Sequence, residues 1–85
     1  MLELKGEILT ITLPEGKTQE EIIKIASEQL APLLEQKAFA GKEVKIDGRC
    51  TTALALFLGH KLSHVCKSVS IYDPKTNNFV RAVWH

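Results

Sequence analysis

The longest uncharged, mostly apolar stretch in this chain is the ten positions from Cys50 to Gly59, about half of the roughly 18 residues a membrane-spanning helix needs. No membrane span is expected. The opening residues Met1-Leu2-Glu3-Leu4-Lys5 interleave acid with base and do not place a basic segment before an apolar one, so no secretory signal is read and a cytoplasmic location is expected. Only two cysteines occur, Cys50 and Cys66, sixteen apart and without a CxxC partner. They read as reduced thiols, not as a zinc or disulfide framework. Internal repeats and polar low-complexity tracts are missing, and with 25% charged residues and a mean hydropathy of zero the composition excludes a disordered chain.

What is present suits one small domain spanning residues 1–85. Apolar residues make up 45% of the chain, yet a domain of this size hides only roughly 60–65% of the surface its unfolded chain exposes. The core is thin, so self-association, at least to a homodimer, is expected. The net charge of only +1 conceals an uneven distribution: residues 1–41 carry four Lys against seven Glu, whereas residues 42–85 carry five Lys and two Arg against three acids. All three histidines, His60, His64 and His85, also fall in that second part. An anion-binding site belongs there.

The punctuation is that of an α/β unit. Glu7 to Leu13 is rich in β-branched residues and ends at Pro14-Glu15-Gly16, which predicts a strand; Leu2 and Leu4 offer a short edge strand before it. Thr18-Gln19-Glu20-Glu21 spells a capping box. The helix it starts carries Ile22, Ile23, Ala26, Leu30, Leu33 and Leu34 at spacings of three and four and ends by Gly41, with Pro32 expected to kink its last turn. Val44-Lys45-Ile46 predicts a second strand, Cys50 or Thr51 to about Val65 a second helix, Ser68 to Tyr72 a third strand, Asp73 to Asn78 a turn, and Phe79 to Trp84 a fourth strand. The order β-α-β-α-β-β implies a small Rossmann-like α/β domain, its sheet mostly parallel with an antiparallel C-terminal hairpin strand.

Ligands in such sheets gather where strands end and helices begin. Gly48-Arg49-Cys50-Thr51-Thr52 makes one such junction. The unpartnered first-turn amides, the helix dipole and the planar donors of Arg49 suit a phosphate or carboxylate there. The same residues also read as an ordinary cap, with Thr51 or Thr52 closing the helix and Arg49 in water. His60 and His64 are one helical turn apart, a spacing that can chelate a divalent metal or serve as acid and base across a phosphodiester. They read equally as a solvated helix end. Asp73, held extended by Pro74, can complete a His/His/Asp metal set or orient a histidine. Its other reading is an Asp-Pro turn bonded to its own backbone. The second helix should also carry His60 and His64 to the sheet edge opposite Arg49 and Asp73, too far for the side chains of one copy to meet.

Gly48-Arg49, Leu58-Gly59-His60-Lys61, Tyr72-Asp73-Pro74-Lys75 and a closing strand ending at His85 together resemble the CRISPR-associated Csx-three family, the third class of type III ring nuclease. The resemblance covers residues 42–85 in motif and residues 7–41 in topology. It implies binding and degradation of cyclic oligoadenylate, above all cyclic tetra-adenylate, or binding of short RNA, by dimers that close as a tetramer around the ring. It further implies manganese dependence and a composite site drawn from opposing dimers. Carried over by position, His60, His64 and Asp73 become the catalytic and manganese-binding residues, with Gly48, Arg49, Thr51, Ser63 and Lys75 contacting the ligand. Ser63 stands where the family has a second helix histidine and Lys75 where it has arginine, while Cys50 and Thr51 replace Gly-Pro. A module that binds the messenger without cleaving it is the other reading of these departures.

Overall fold

The computed structural model describes residues 1–84, so His85 lies outside the described residues. Seven elements follow one another along the chain: β1 (Leu2–Lys5), β2 (Ile8–Ile11), α1 (Gln19–Glu35), β3 (Glu43–Gly48), α2 (Thr52–Ser63), β4 (Ser68–Asp73) and β5 (Asn78–Trp84). The five strands form one sheet in the order β1-β2-β3-β4-β5. The central strands β2, β3 and β4 are parallel, and β1 and β5 close the two edges antiparallel to their neighbours. Strand order follows chain order without reversal. The edge strand at Leu2 and Leu4 forms because Gly6, at a φ of 62°, turns the chain so that Leu4 pairs with Leu9 and Leu2 with Ile11.

Helix α1 begins as its sequence dictates. The Glu21 amide donates to Thr18 Oγ1 at 3.2 Å and the Thr18 amide donates to Glu21 Oε1 at 2.9 Å, so two otherwise open donors are satisfied reciprocally. The Thr18 amide most, and the Thr18 hydroxyl after it, stabilise the ionised carboxylate and hold the Glu21 carboxyl below its ordinary value. Pro32 is tolerated inside the last turn, where the helix runs on only to Glu35. Helix α2 is shorter than the composition suggests, because Thr51 is its cap and not its first residue: Thr51 Oγ1 accepts from the Leu54 amide at 3.2 Å.

Alternation along the strands decides which face is buried. Leu9, Ile11, Val44, Ile46 and Val69 are buried with Ile22, Ala26 and Leu30 of α1, Leu54, Leu58 and Leu62 of α2, and Phe39 from the connection that follows α1. All of these strand residues point to one side, and the two helices pack against each other over it. The molecule measures 34 × 34 × 20 Å. A thickness of 20 Å holds one helix layer on one sheet and no third layer, so the second face of the sheet is bare. Among the described residues no helix is long and apolar enough to cross a membrane.

Candidate functional site at the carboxyl edge of the sheet

The parallel strands β3 and β4 end side by side, and the chain leaves each in a different direction. After Gly48 it turns into α2, and after Asp73 it turns into the β4–β5 hairpin. Between these exits lies a cleft of about 500 Å³ lined by Asp47, Gly48, Arg49, Cys50, Ile71, Tyr72 and Pro74. Glycine is required at its rim: Gly48 has a φ of 94°, and a Cβ there would stand 2.3 Å from the Ile11 carbonyl oxygen. Asp47 Oδ1 accepts from the Gly48 amide at 2.8 Å, which holds one carboxylate oxygen in the turn. Arg49 is exposed and carries no salt bridge among the described residues.

Cys50 and Thr51 form the wall toward α2. The Cys50 thiol donates to the Thr51 carbonyl at 3.5 Å, and partial burial raises its pKa above the ordinary thiol value. Thr51 is committed to capping α2, so its hydroxyl contributes to the cleft through the helix terminus it stabilises. Tyr72 stands on the β4 side, its hydroxyl hydrogen-bonded to Asn77 Oδ1 across the hairpin.

Asp73 adjoins this cleft but its carboxylate turns back on the hairpin. Oδ1 accepts from the Lys75 amide at 3.0 Å and Oδ2 from the Thr76 hydroxyl at 3.1 Å, the side-chain turn that the Asp-Pro pair offered as its second reading. Lys75 is exposed on the same turn. His60 and His64 sit at the other end of α2, their rings edge to face with centroids 4.9 Å apart. Ser63 lies between them in sequence, its hydroxyl donating to the His60 carbonyl at 2.7 Å. The twelve residues of α2 rise about 18 Å at 1.5 Å each, so the imidazoles and Asp73 occupy opposite edges of the sheet, as the sequence led one to expect.

The structure therefore brings together Gly48, Arg49 and Thr51 at one edge, with Asp73 and Lys75 on the adjoining turn, and keeps His60, His64 and Ser63 apart from them. Sequence reasoning places Tyr72 and Pro74 at a strand end where ligands gather without giving either a ligand role, and it did not select Asp47 or Ile71 as cleft residues. Their signal was positional, since each lies within two residues of a parallel strand's carboxyl end.

Manganese, implied by the resemblance, would draw on His60, His64 and Asp73. Those imidazoles and that carboxylate are at opposite edges, both Asp73 oxygens are engaged in the turn, and no group of three His, Cys, Asp or Glu side chains comes together among the described residues. One chain does not compose the donor set.

No protein-family model matches the chain, and no curated protein or solved structure matches it.

Proposed function

We propose that the cleft between the ends of β3 and β4 takes a phosphodiester of cyclic oligoadenylate, cyclic tetra-adenylate above all, and that the chain is a ring nuclease of the Csx-three type whose site is completed by a second copy. The observation that supports it is the composition of the cleft. Arg49, an exposed guanidinium, stands one residue beyond the tight Gly48 turn and two before the Thr51 cap of α2. Those groups suit an anionic oxygen, and the apolar side chain of Ile71 beside them suits a base. On this reading the domain is a singly wound, Rossmann-like unit that acts in the cytoplasm as a homodimer and closes as a tetramer on its ligand.

The chemistry asked of the residues is proton transfer at a held phosphate. Arg49 and the first-turn amides of α2 would neutralise the phosphate. In the closed assembly the His60 and His64 pair of another copy would face it. One imidazole takes the proton of the ribose 2′-hydroxyl as its oxygen bonds to phosphorus. The bond from phosphorus to the 5′-oxygen breaks, and the second imidazole, protonated, supplies that leaving oxygen with a proton. Manganese bound by His60, His64 and Asp73 belongs to this reading only if donors from two chains meet.

A second reading, capture of the ring without turnover, is favoured by one observation: both Asp73 oxygens already accept from Lys75 and Thr76, which turns that carboxylate toward its own hairpin. Incubating the protein with radiolabelled cyclic tetra-adenylate, with and without manganese, separates the two. Linear products at catalytic enzyme support the nuclease. An intact ring recovered from a stoichiometric complex overturns cleavage and leaves capture, and no complex at all overturns both.

A further inference from the structure

The bare face of the sheet is not chemically neutral. Register places Lys5, Ile8, Lys45, Ser70 and Arg81 side by side in one row across all five strands. That row contains three cations and no acid. Lys45 and Arg81 stand two strands apart, about 9–10 Å between backbones, with the small Ser70 between them. Tyr72 and Phe79 are paired in the row on one side, their rings edge to face at 5.7 Å. Trp84, paired with Ser68, lies on the other side and is 60% exposed. Two of the three cations are already set over a ring, Lys45 Nζ 5.7 Å from the centre of Phe79 and the Arg81 guanidinium 5.4 Å from that of Trp84.

The bulge between Val69 and Ser70 makes this arrangement. By adding one residue to β5 at Ala82, it puts Arg81 and Trp84 on the same face although they are three apart in sequence. Without it the tryptophan would turn toward the helices.

We propose that this face, along β4, β5 and Lys45, is a stacking platform for single-stranded nucleic acid. Rings on an open sheet accept the flat faces of unpaired bases, and cations between the rings accept the phosphates that join them. Charge complementarity favours this occupant. The acids of the face, Glu3, Glu43 and Asp47, stand on β1 and β3, whereas β4 and β5 present Ser70, Tyr72, Phe79, Arg81 and Trp84 without an acid. Glu3 is itself paired with Lys5 at 3.2 Å. A second copy packed sheet on sheet fits less well, because its interface would bury three cations and three acids where such interfaces are apolar. Contacts to rings and phosphates alone read no base and no 2′-hydroxyl, so RNA and DNA strands are accepted alike, without metal. This surface does not depend on the cleft reading.

Trp84, the chain's single tryptophan, reports on the platform directly. Titrating the protein with a twelve-residue oligouridylate and a twelve-residue oligothymidylate in chelator should quench its emission, with affinities for the two within a few-fold. Anisotropy of labelled oligomers should show Trp84→Ala and Phe79→Ala each weakening binding about 5- to 100-fold, the range of one lost base stack. Arg81→Glu should weaken it at least tenfold and flatten the salt dependence. Trp84 is exposed, so its loss is read on a folded chain even if Phe79→Ala unfolds. Arg49→Ala should leave oligomer binding unchanged while lowering capture of cyclic tetra-adenylate, which keeps this test separate from that of the cleft. Absence of quenching, equal affinity of Trp84→Ala and the parent chain, or equal binding of a twelve-base-pair duplex overturns the proposal. So does a sedimenting dimer that Trp84→Ala dissociates, which would assign the face to a second copy.

Discussion

Gly48 lies against Ile11 so closely that a Cβ on Gly48 would stand 2.3 Å from the Ile11 carbonyl oxygen and 3.2 Å from its nitrogen. The contact is between backbones of two parallel strands, so neither partner can swing aside as a side chain would. It fixes where β3 stops and where the cleft begins.

Gly48→Ala is therefore expected to cost about 2–4 kcal/mol, combining overpacking against a backbone with a φ of 94° that L residues rarely adopt. Gly59 provides the internal contrast. It lies within α2, and its added Cβ would meet only Val83 Cγ2 at 4.0 Å. Gly59→Ala should raise stability by about 0.5–1 kcal/mol through helix propensity. Urea unfolding of both variants checks the pair, and a stable Gly48→Ala chain would contradict the backbone contact.

The start of α2 rests on one hydroxyl. Removing Thr51 Oγ1 leaves the Leu54 amide without its acceptor, so Thr51→Ala should lower stability by about 1 kcal/mol, whereas Thr51→Ser should retain most of it. Amide exchange localises the effect: protection should fall in the first turn of α2 and stay unchanged in α1.

Stability should depend on acid through Glu21. Its carboxyl titrates below the ordinary value because the Thr18 amide and hydroxyl hold the ionised form. A depressed carboxyl adds stability above its unfolded value, and that contribution is lost as pH falls through the lower folded value. The advantage of the parent chain over Glu21→Ala should thus be present near neutrality and shrink on acidification below the ordinary glutamate range. Thermal unfolding of both chains across that range checks the sign.

The buried thiol gives the opposite slope at the alkaline end. Burial pushes Cys66 up to about 11, against about 8.5 for a thiol in an unfolded chain. A raised thiol contributes stability below the unfolded value, and that contribution is lost as pH rises toward the folded one. The parent chain should lose stability relative to Cys66→Ala between about pH 8.5 and 11. Iodoacetamide at pH 8 should label Cys50 before Cys66 in the folded chain and both alike in denaturant.

Much of the fold was legible because its signals are local. The capping box at Thr18 and Glu21, the three-and-four spacing of Ile22, Ala26 and Leu30, and the turn from Asp73 to Asn78 each act within a few residues. The junction at Gly48-Arg49 was legible for the same reason. Which of two readings Asp73 takes was not, because its carboxylate can face a ligand or its own hairpin with the same neighbours in sequence. The aromatic face was not legible either. Tyr72, Phe79 and Trp84 share it only through the pairing of β4 with β5 and the bulge at Val69/Ser70, and register across a bulge is not written in alternation.

The separation of Arg49 from His60 and His64 makes the proposed nuclease testable without a structure of the assembly. If one copy holds the phosphate and another supplies the imidazoles, Arg49→Ala and His60→Ala/His64→Ala chains should each be inactive on cyclic tetra-adenylate. Mixed, they form sites that pair an intact cleft with an intact histidine pair. Random mixing should restore a substantial fraction of parent activity, at most about half of the mixed contacts being of the competent kind. Neither mutation should unfold the chain, since both Arg49 and the two histidines are exposed. Product formation by the mixture, measured against each chain alone, is the reading. If the double histidine variant alone cleaves at the parent rate, the imidazoles are not the acid and base. If the mixture stays as inactive as its components while the parent cleaves, the two sets of residues do not act across copies.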